Sequence, residues 1–230
     1  MNGILKKVLC FCVLPALIVL LVYLIVTGIQ KPVKFDKVKE QRSAVAVQRL
    51  KDIRELQVAY KSVNNKFAST VDSLILFYNT GKMDVILQVG SRDDSLAVAN
   101  TDALKKKNRK ITQEEFYELY LKGERVIASL KTEVNVKDTL FRSRKKFVID
   151  SLKYIPYSGG QEVEMEAVIK KVSGVDVPLF EARMPYDALL KGLDRQLVIN
   201  LKADCEVMNR YKGLQVGSIT APNNNAGNWE

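Results

Sequence analysis

The longest feature of the hydrophobic pattern lies at the N-terminus: from Val8 to Gln30 no charged residue appears, and the stretch is rich in Leu, Ile and Val. Roughly 20 apolar residues suffice to cross the hydrocarbon of a bilayer as a helix. A cleaved signal peptide would have a shorter apolar stretch ending in a small-x-small site, and none is found here. The pattern therefore predicts an uncleaved transmembrane anchor over residues 1–30. Lys31-Pro32 is expected to end that helix, because proline disfavours helical geometry in the residue before it. A basic juxtamembrane linker over 31–43 is expected to follow.

Beyond it the period of the apolar positions becomes helical. Leu50, Ile53, Leu56, Tyr60 and Val63 recur at three- and four-residue steps between charged residues, which predicts an amphipathic helix stopping at Asn64-Asn65. A short helix is expected from Val71 to Asn79, capped by Ser69 or Thr70. Asp84–Val89 reads as a buried strand, and the lysine-rich stretch from Gly90 to Lys110 as a long loop. Thr112 and Glu115 have the spacing of a capping box for a further helix carrying Phe116, Leu119 and Tyr120. From Glu133 the period falls to two. Val163, Met165, Ala167 and Ile169 alternate with charged residues, flanked by Ser158-Gly159-Gly160 and Val172-Ser173-Gly174, a strand with hairpins on both sides. Val177–Ala182 and Leu214–Ile219 read as further strands, while Leu197–Leu201 fits strand or helix. The expected fold is α+β: an N-terminal transmembrane helix, then amphipathic helices packed on an antiparallel β-meander. One soluble domain would span 44–221, with a polar tail over 222–230.

Composition narrows the function more than it identifies it. The chain carries 36 Lys and Arg against 26 Asp and Glu, a net charge of +10. Basic residues gather at Lys31–Arg42, Lys105–Lys110 and Arg142–Lys146. None of these clusters interleaves aromatics as a single-strand stacking platform would, so nucleic acid is not an expected partner. Histidine is absent, which removes Ser-His and Cys-His nucleophiles and every histidine-containing metal site. Cys10 and Cys12 fall in the apolar segment and leave Cys205 alone, so no disulfide staples the soluble part. There is no phosphate-binding glycine loop. Glu162, Glu164 and Glu166 have strand spacing and suit the wet face of a sheet better than a cation site. No catalytic residue, metal ligand or cofactor is expected.

Orientation rests on two opposed signals. The basic residues after the span would hold the domain in the cytoplasm, although long domains translocate largely regardless of flanking charge. Asp followed by Ser or Thr and then Leu occurs at Asp72-Ser73-Leu74, Asp94-Ser95-Leu96, Asp138-Thr139-Leu140 and Asp150-Ser151-Leu152. These triplets resemble the O-glycosylation sequon that some Gram-negative bacteria use on exported proteins, which would make Ser73, Ser95, Thr139 and Ser151 acceptors. The same residues also serve as turn openers and helix caps before a core leucine. The first use tips the expected placement to the inner membrane, single-pass, with a periplasmic domain.

Between residues 44 and 80, the run from Arg49 to Tyr60, then Asn64-Asn65-Lys66-Phe67 and the helix around Leu74, resembles type IV pilin-like proteins, most closely the pseudopilins of type II secretion. That resemblance implies an amphipathic helix packed on an antiparallel sheet. The chain departs from the pilin pattern in having no acidic residue after Gly3 until Asp36. The ending Val216-Gly217-Ser218 and Asn223-Asn224-Asn225-Ala226-Gly227-Asn228-Trp229-Glu230 is similar to a group of exported proteins of Gram-negative bacteria.

The leading expectation is a non-enzymatic cell-envelope protein acting as an assembly or scaffold component. The bilayer and other envelope proteins would be its partners, met through Leu50, Ile53, Leu56, Tyr60 and Trp229. The alternatives are an envelope sensor or binding module recognising a glycan or peptide, and an enzyme using carboxylate chemistry.

Overall fold

Helix α1 runs without a break from Leu14 to Asn64. The structure, a computed structural model, describes residues 13–144 and 147–230; Cys10, Cys12 and the basic pair Lys145-Lys146 lie outside them. The first turns of α1 bury nothing: Leu17, Leu20 and Leu24 are each about half exposed. They form a surface that water does not favour and lipid does. This helix is long and apolar enough to cross a membrane once, near the N-terminus.

Pro32 lies inside α1, against the expected break. Proline lacks the N–H that would bond the carbonyl of Gly28 and crowds it, at a cost of about 3 kcal/mol in a helix interior. Two flanks offset that cost. The apolar side would have no alternative to helix in lipid, and the other side buries Phe35, Ala46, Leu50 and Ile53. Residues 31–43 are therefore helix, not linker. An i,i+3 ion pair between Lys39 and Asp36 at 2.7 Å supports this stretch. Pro32→Ala is expected to restore the missing bond and to stabilise α1 locally by roughly 2–3 kcal/mol. Slower amide exchange over residues 28–36 checks it.

The chain divides into two compact units. One comprises the chain up to Arg54 with Asp150–Glu230; the other is Glu55–Ile149. The residues read from sequence as one domain are thus distributed over both.

In the second unit α1 ends at Asn64, and Asn65 adopts the left-handed region (φ 57°), as the Asn-Asn pair led one to expect. Helix α2 (Val71–Thr80) is capped by the Thr70 hydroxyl. Strands β1 (Lys82–Val89) and β2 (Ala128–Asn135) form a two-stranded antiparallel sheet with Lys82 opposite Asn135 and Val89 opposite Ala128. β1 is not the buried strand expected: Ile86 is 66% exposed, and Lys131 pairs with Asp84 across the ladder at 2.6 Å. Between the strands lies helix α3 (Ser95–Lys107), where a loop was expected. The Asp94 carboxylate caps it, and Lys105, Lys106 and Lys107 occupy its last turn, each end matching the helix dipole. Helix α4 (Gln113–Leu121) opens with the expected capping box of Thr112 and Glu115. It places Phe116 in a core with Val126 and Ala128. A single turn, α5 (Val136–Thr139), follows β2.

In the first unit β3 (Glu164–Val172), β4 (Val175–Pro185) and β5 (Gly213–Gly217) form an antiparallel sheet in that order. The β3–β4 turn has positive φ at both Ser173 and Gly174, the twist-matched form of a two-residue hairpin. Helices α6 (Tyr186–Leu189) and α7 (Arg195–Val207) separate β4 from β5, so Leu197–Leu201 is helical. The single meander expected from sequence is two small antiparallel sheets. Period-two alternation sends Phe180, Ala182 and Met184 of β4 and Leu214 and Val216 of β5 into the core. Arg42 of α1 donates to the carbonyls of Leu189 (3.1 Å) and Lys191 (2.9 Å) and stacks 4.9 Å from the Tyr157 ring. Arg49 donates to the carbonyl of Tyr154.

Candidate interaction surfaces

The amphipathic row of α1 lies inside. Leu50, Ile53 and Leu56 are fully buried. Among them Gln57 is buried too, and its amide bonds both the N–H and the carbonyl of Ala68, at 2.9 and 2.8 Å. Tyr60 is half-buried, its ring meeting Phe77 edge-on at 5.2 Å. Three- and four-residue spacing marks any buried helix face, whether a core or a partner covers it. Here the aliphatic three serve as core.

Trp229 sits in a folded tail. Val216 of β5 pairs with Gly227, the Gly217 N–H donates to the Ala226 carbonyl at 3.0 Å, and the Asn228 N–H donates to the Gln215 carbonyl at 3.0 Å. The Asn228 side chain accepts from the Gln215 N–H at 3.1 Å and donates to the Gly213 carbonyl at 2.9 Å. Asn224 and Asn225 both take positive φ, a conformation asparagine tolerates better than other side chains, which turns the tail back along β5. The tail thus occupies the outer edge of β5 and satisfies groups that an open edge strand would present. Trp229 is half-buried, with its indole N–H enclosed and without an acceptor.

An ion pair closes this clasp: Arg54 of α1 donates to the Glu230 carboxylate at 2.7 Å and to the Asn225 carbonyl at 3.3 Å. The hydrogen bond from Arg54 holds the Glu230 carboxyl below the usual carboxylate range. A depressed carboxylate stabilises the fold above its unfolded pKa, and that contribution is lost as pH falls through the folded value. Trp229 fluorescence is therefore expected to shift on acidification below the ordinary carboxylate range. Glu230→Gln should show the shifted spectrum already at neutral pH.

On the other face of the β3–β4–β5 sheet stand Glu164, Glu181 and Arg183. Arg183 reaches Glu164 at 3.4 Å and Glu181 at 3.2 Å, and the Ile219 N–H donates to Glu181 at 3.3 Å. Burial first, then the charge of Glu164, pushes the nearby Tyr211 hydroxyl up to about 12, so it stays protonated at any physiological pH. Glu162 pairs with Lys153 at 3.5 Å. Of the glutamates at strand spacing, Glu162 and Glu164 are thus paired with cations of the same unit. Among the described residues no three His, Cys, Asp or Glu side chains gather as a metal site.

The four triplets occupy unlike settings. Ser95 and Thr139 are exposed, at the first turn of α3 and the end of α5. Ser73 is half-buried, with its hydroxyl 2.8 Å from that of Thr70, and Ser151 is half-buried in the 3-10 turn Ile149–Leu152. Asp94 is a true N-cap, accepting from the N–H groups of Leu96 and Ala97. At residues 71–74 Thr70 does the capping instead, and Leu96 is 56% exposed. Asp94 caps its helix before an exposed leucine, and Leu74 is buried behind a different cap, so neither of these two triplets meets the cap-before-core-leucine pattern in full.

Sequence reasoning missed a cleft of about 530 Å³ in the second unit, lined among others by Gln88, Arg92, Asp102, Lys105, Gln113 and Ser129. Five of its nine lining residues come from α3 and the turn before it, which the polar composition had suggested to be loop. Its wall is wet, with a carboxylate and two cations at its rim, and suits a polar ligand held by charge and amide hydrogen bonds. Comparison with known protein families, with curated proteins and with solved structures finds no match to this chain.

Proposed function

We propose that the protein is a non-enzymatic component of the Gram-negative cell envelope. Its helix-and-sheet, pilin-like fold is held at the inner membrane on the periplasmic side, where it acts as an assembly or scaffold subunit. The observation that carries this reading is the continuity of α1. One helix of 51 residues begins as a lipid-seeking surface and ends as the buried Leu50, Ile53 and Leu56. An anchor that ends in a loose linker only concentrates its cargo near a membrane; one that continues into the core also fixes its orientation. That difference suits a subunit that must present a defined surface to neighbours.

Fractionation tests the anchor. The chain is expected to stay in the membrane pellet through high salt and alkaline carbonate, with residues before 31 retained. Release by salt, as a chain beginning after residue 30, overturns it. Sidedness is read on Cys205 in a chain with Cys10 and Cys12 replaced by alanine. A membrane-impermeant maleimide should label it in spheroplasts, and protection until lysis rules out the periplasmic placement. Cross-linking in cells followed by mild detergent extraction should then recover defined membrane partners, and a chain that always purifies alone refutes the scaffold role.

The cleft of the second unit favours a second reading, an envelope sensor whose polar groove takes a glycan or peptide. Arg92→Ala with Lys105→Ala would abolish binding to a panel of such ligands in that case, and binding by neither form refutes it.

A further inference from the structure

The span of α1 gives way abruptly to Lys31, Lys34 and Lys37, and we propose that these three lysines form a binding stripe for the headgroups of anionic phospholipids in the leaflet on the domain side. The inference rests on the membrane-anchored reading of α1 and names the lipid that reading leaves open.

Because α1 continues as helix through Pro32, the three residues do not scatter along a loop. Steps of three residues at roughly 3.6 per turn hold them within about a third of the helix circumference, and six residues of rise separate the first from the last by about 9 Å. All three are exposed, and none pairs with a carboxylate among the described residues. The neighbouring Asp36 is engaged by Lys39 at 2.7 Å, which leaves Glu40, one turn beyond Lys37, as the nearest unengaged acid. Phe35 and Ala46 are buried on a different side of the helix, so packing of the fold leaves Lys34 and Lys37 free.

Position supplies the occupant. The interfacial layer outside the hydrocarbon is roughly 5–8 Å thick on each side. A helix emerging at Gln30 therefore carries Lys31 and Lys34 through the layer of lipid phosphates, and a flexible stem lets Lys37 reach back to it. Ammonium groups at that depth attract anionic headgroups, an effect that fades within a Debye length of about 8 Å in physiological salt. Lys106 and Lys107 in the last turn of α3 and Lys110 just beyond it form a comparable exposed cluster but follow no membrane span, and they supply the control.

The test uses the full-length chain in detergent with equal phosphatidylcholine and phosphatidylglycerol, its bound lipids counted by native mass spectrometry. Phosphatidylglycerol adducts are expected to predominate. K31Q/K34Q/K37Q should lower that preference by about five-fold or more, as the loss of three near-surface cations implies. K106Q/K107Q/K110Q should keep it. Inorganic phosphate at matched ionic strength should leave it intact, since free phosphate lacks the acyl chains that hold a headgroup in place. A triple variant that retains the preference, a control that loses it equally, or displacement by phosphate overturns the proposal. A chain that withstands alkaline carbonate yet shows no phosphatidylglycerol preference refutes the lipid stripe alone; a chain released by carbonate refutes the anchor.

Discussion

Replacing Phe116 by alanine is expected to remove about 3–5 kcal/mol from the second unit, the usual cost of deleting a fully buried aromatic ring. Phe116 has no exposed surface and forms its core with Val126 and Ala128, with Val89, Leu104, Ile111, Tyr117 and Leu119 packed around them. These residues come from β1, α3, α4 and β2 and the turns between them. One ring therefore ties the two-stranded sheet to both helices, and a two-stranded sheet has little stability of its own. Peptide-resolved hydrogen exchange on the intact protein is the measurement, and the amides of α4 and β2 should exchange a hundred-fold faster or more. Leu121, at the end of the same helix, is 67% exposed, and Leu121→Ala should stay within about 0.5 kcal/mol. Equal effects at the two positions would mean that Phe116 is not the keystone of this unit.

Gly217→Ala is the second large effect, with an expected cost of about 3 kcal/mol or more. Gly217 has φ +74°, and a Cβ there would stand 2.2 Å from the Phe180 carbonyl oxygen. That oxygen belongs to the backbone of β4, so nothing flexible can give way. Relief requires β5 to move off β4, and the bond from the Gly217 N–H to the tail goes with it. Gly174 in the β3–β4 turn separates strain from collision. Its φ is +85° but a Cβ would meet nothing within 4 Å, so Gly174→Ala should cost only about 1 kcal/mol. Trp229, the only tryptophan, reports this unit in urea titrations followed by fluorescence. A midpoint in Gly217→Ala no lower than in Gly174→Ala would remove the steric argument.

Features written by a few adjacent residues were legible in the sequence. Thr70, the Thr112–Glu115 box and the Asn64-Asn65 stop all act over three or four positions, and each takes the role its chemistry suggests. The alternation of β3 was legible for the same reason at Met165 and Ala167, but it fails at Ile169, which is 61% exposed. Helix α3 was not, because it buries little beyond Ala97 and Thr101 and so shows no apolar stripe; its caps and helix-forming Ala, Leu and Lys residues hold the signal instead. Passage through Pro32 was hidden because a local cost of a few kcal/mol lost to the helix on both sides of it, apolar on one and packed into the fold on the other. The surfaces were harder still. Leu50, Ile53 and Leu56 look the same whether a core or a partner covers them, and the docking of the tail depends on a β5 edge that exists only after folding. The lysine stripe was visible as charge but not as geometry, since its spacing gains meaning only once residues 31–43 are helix.

The division of the chain orders events during synthesis. Glu55–Ile149 is contiguous and has all its residues once Ile149 clears the ribosome. The other unit is split in sequence: its first part carries the helix long and apolar enough to cross a membrane, and its sheet arrives only with Glu164–Gly217. The bond from Arg54 to Glu230 waits until Glu230 itself is translated. The residues of α1 up to Arg54 are therefore made long before the sheet that completes their unit. Premature termination near Pro222 would yield a chain complete in every strand yet lacking the segment that seals its final edge, a species prone to pair that edge with a neighbour.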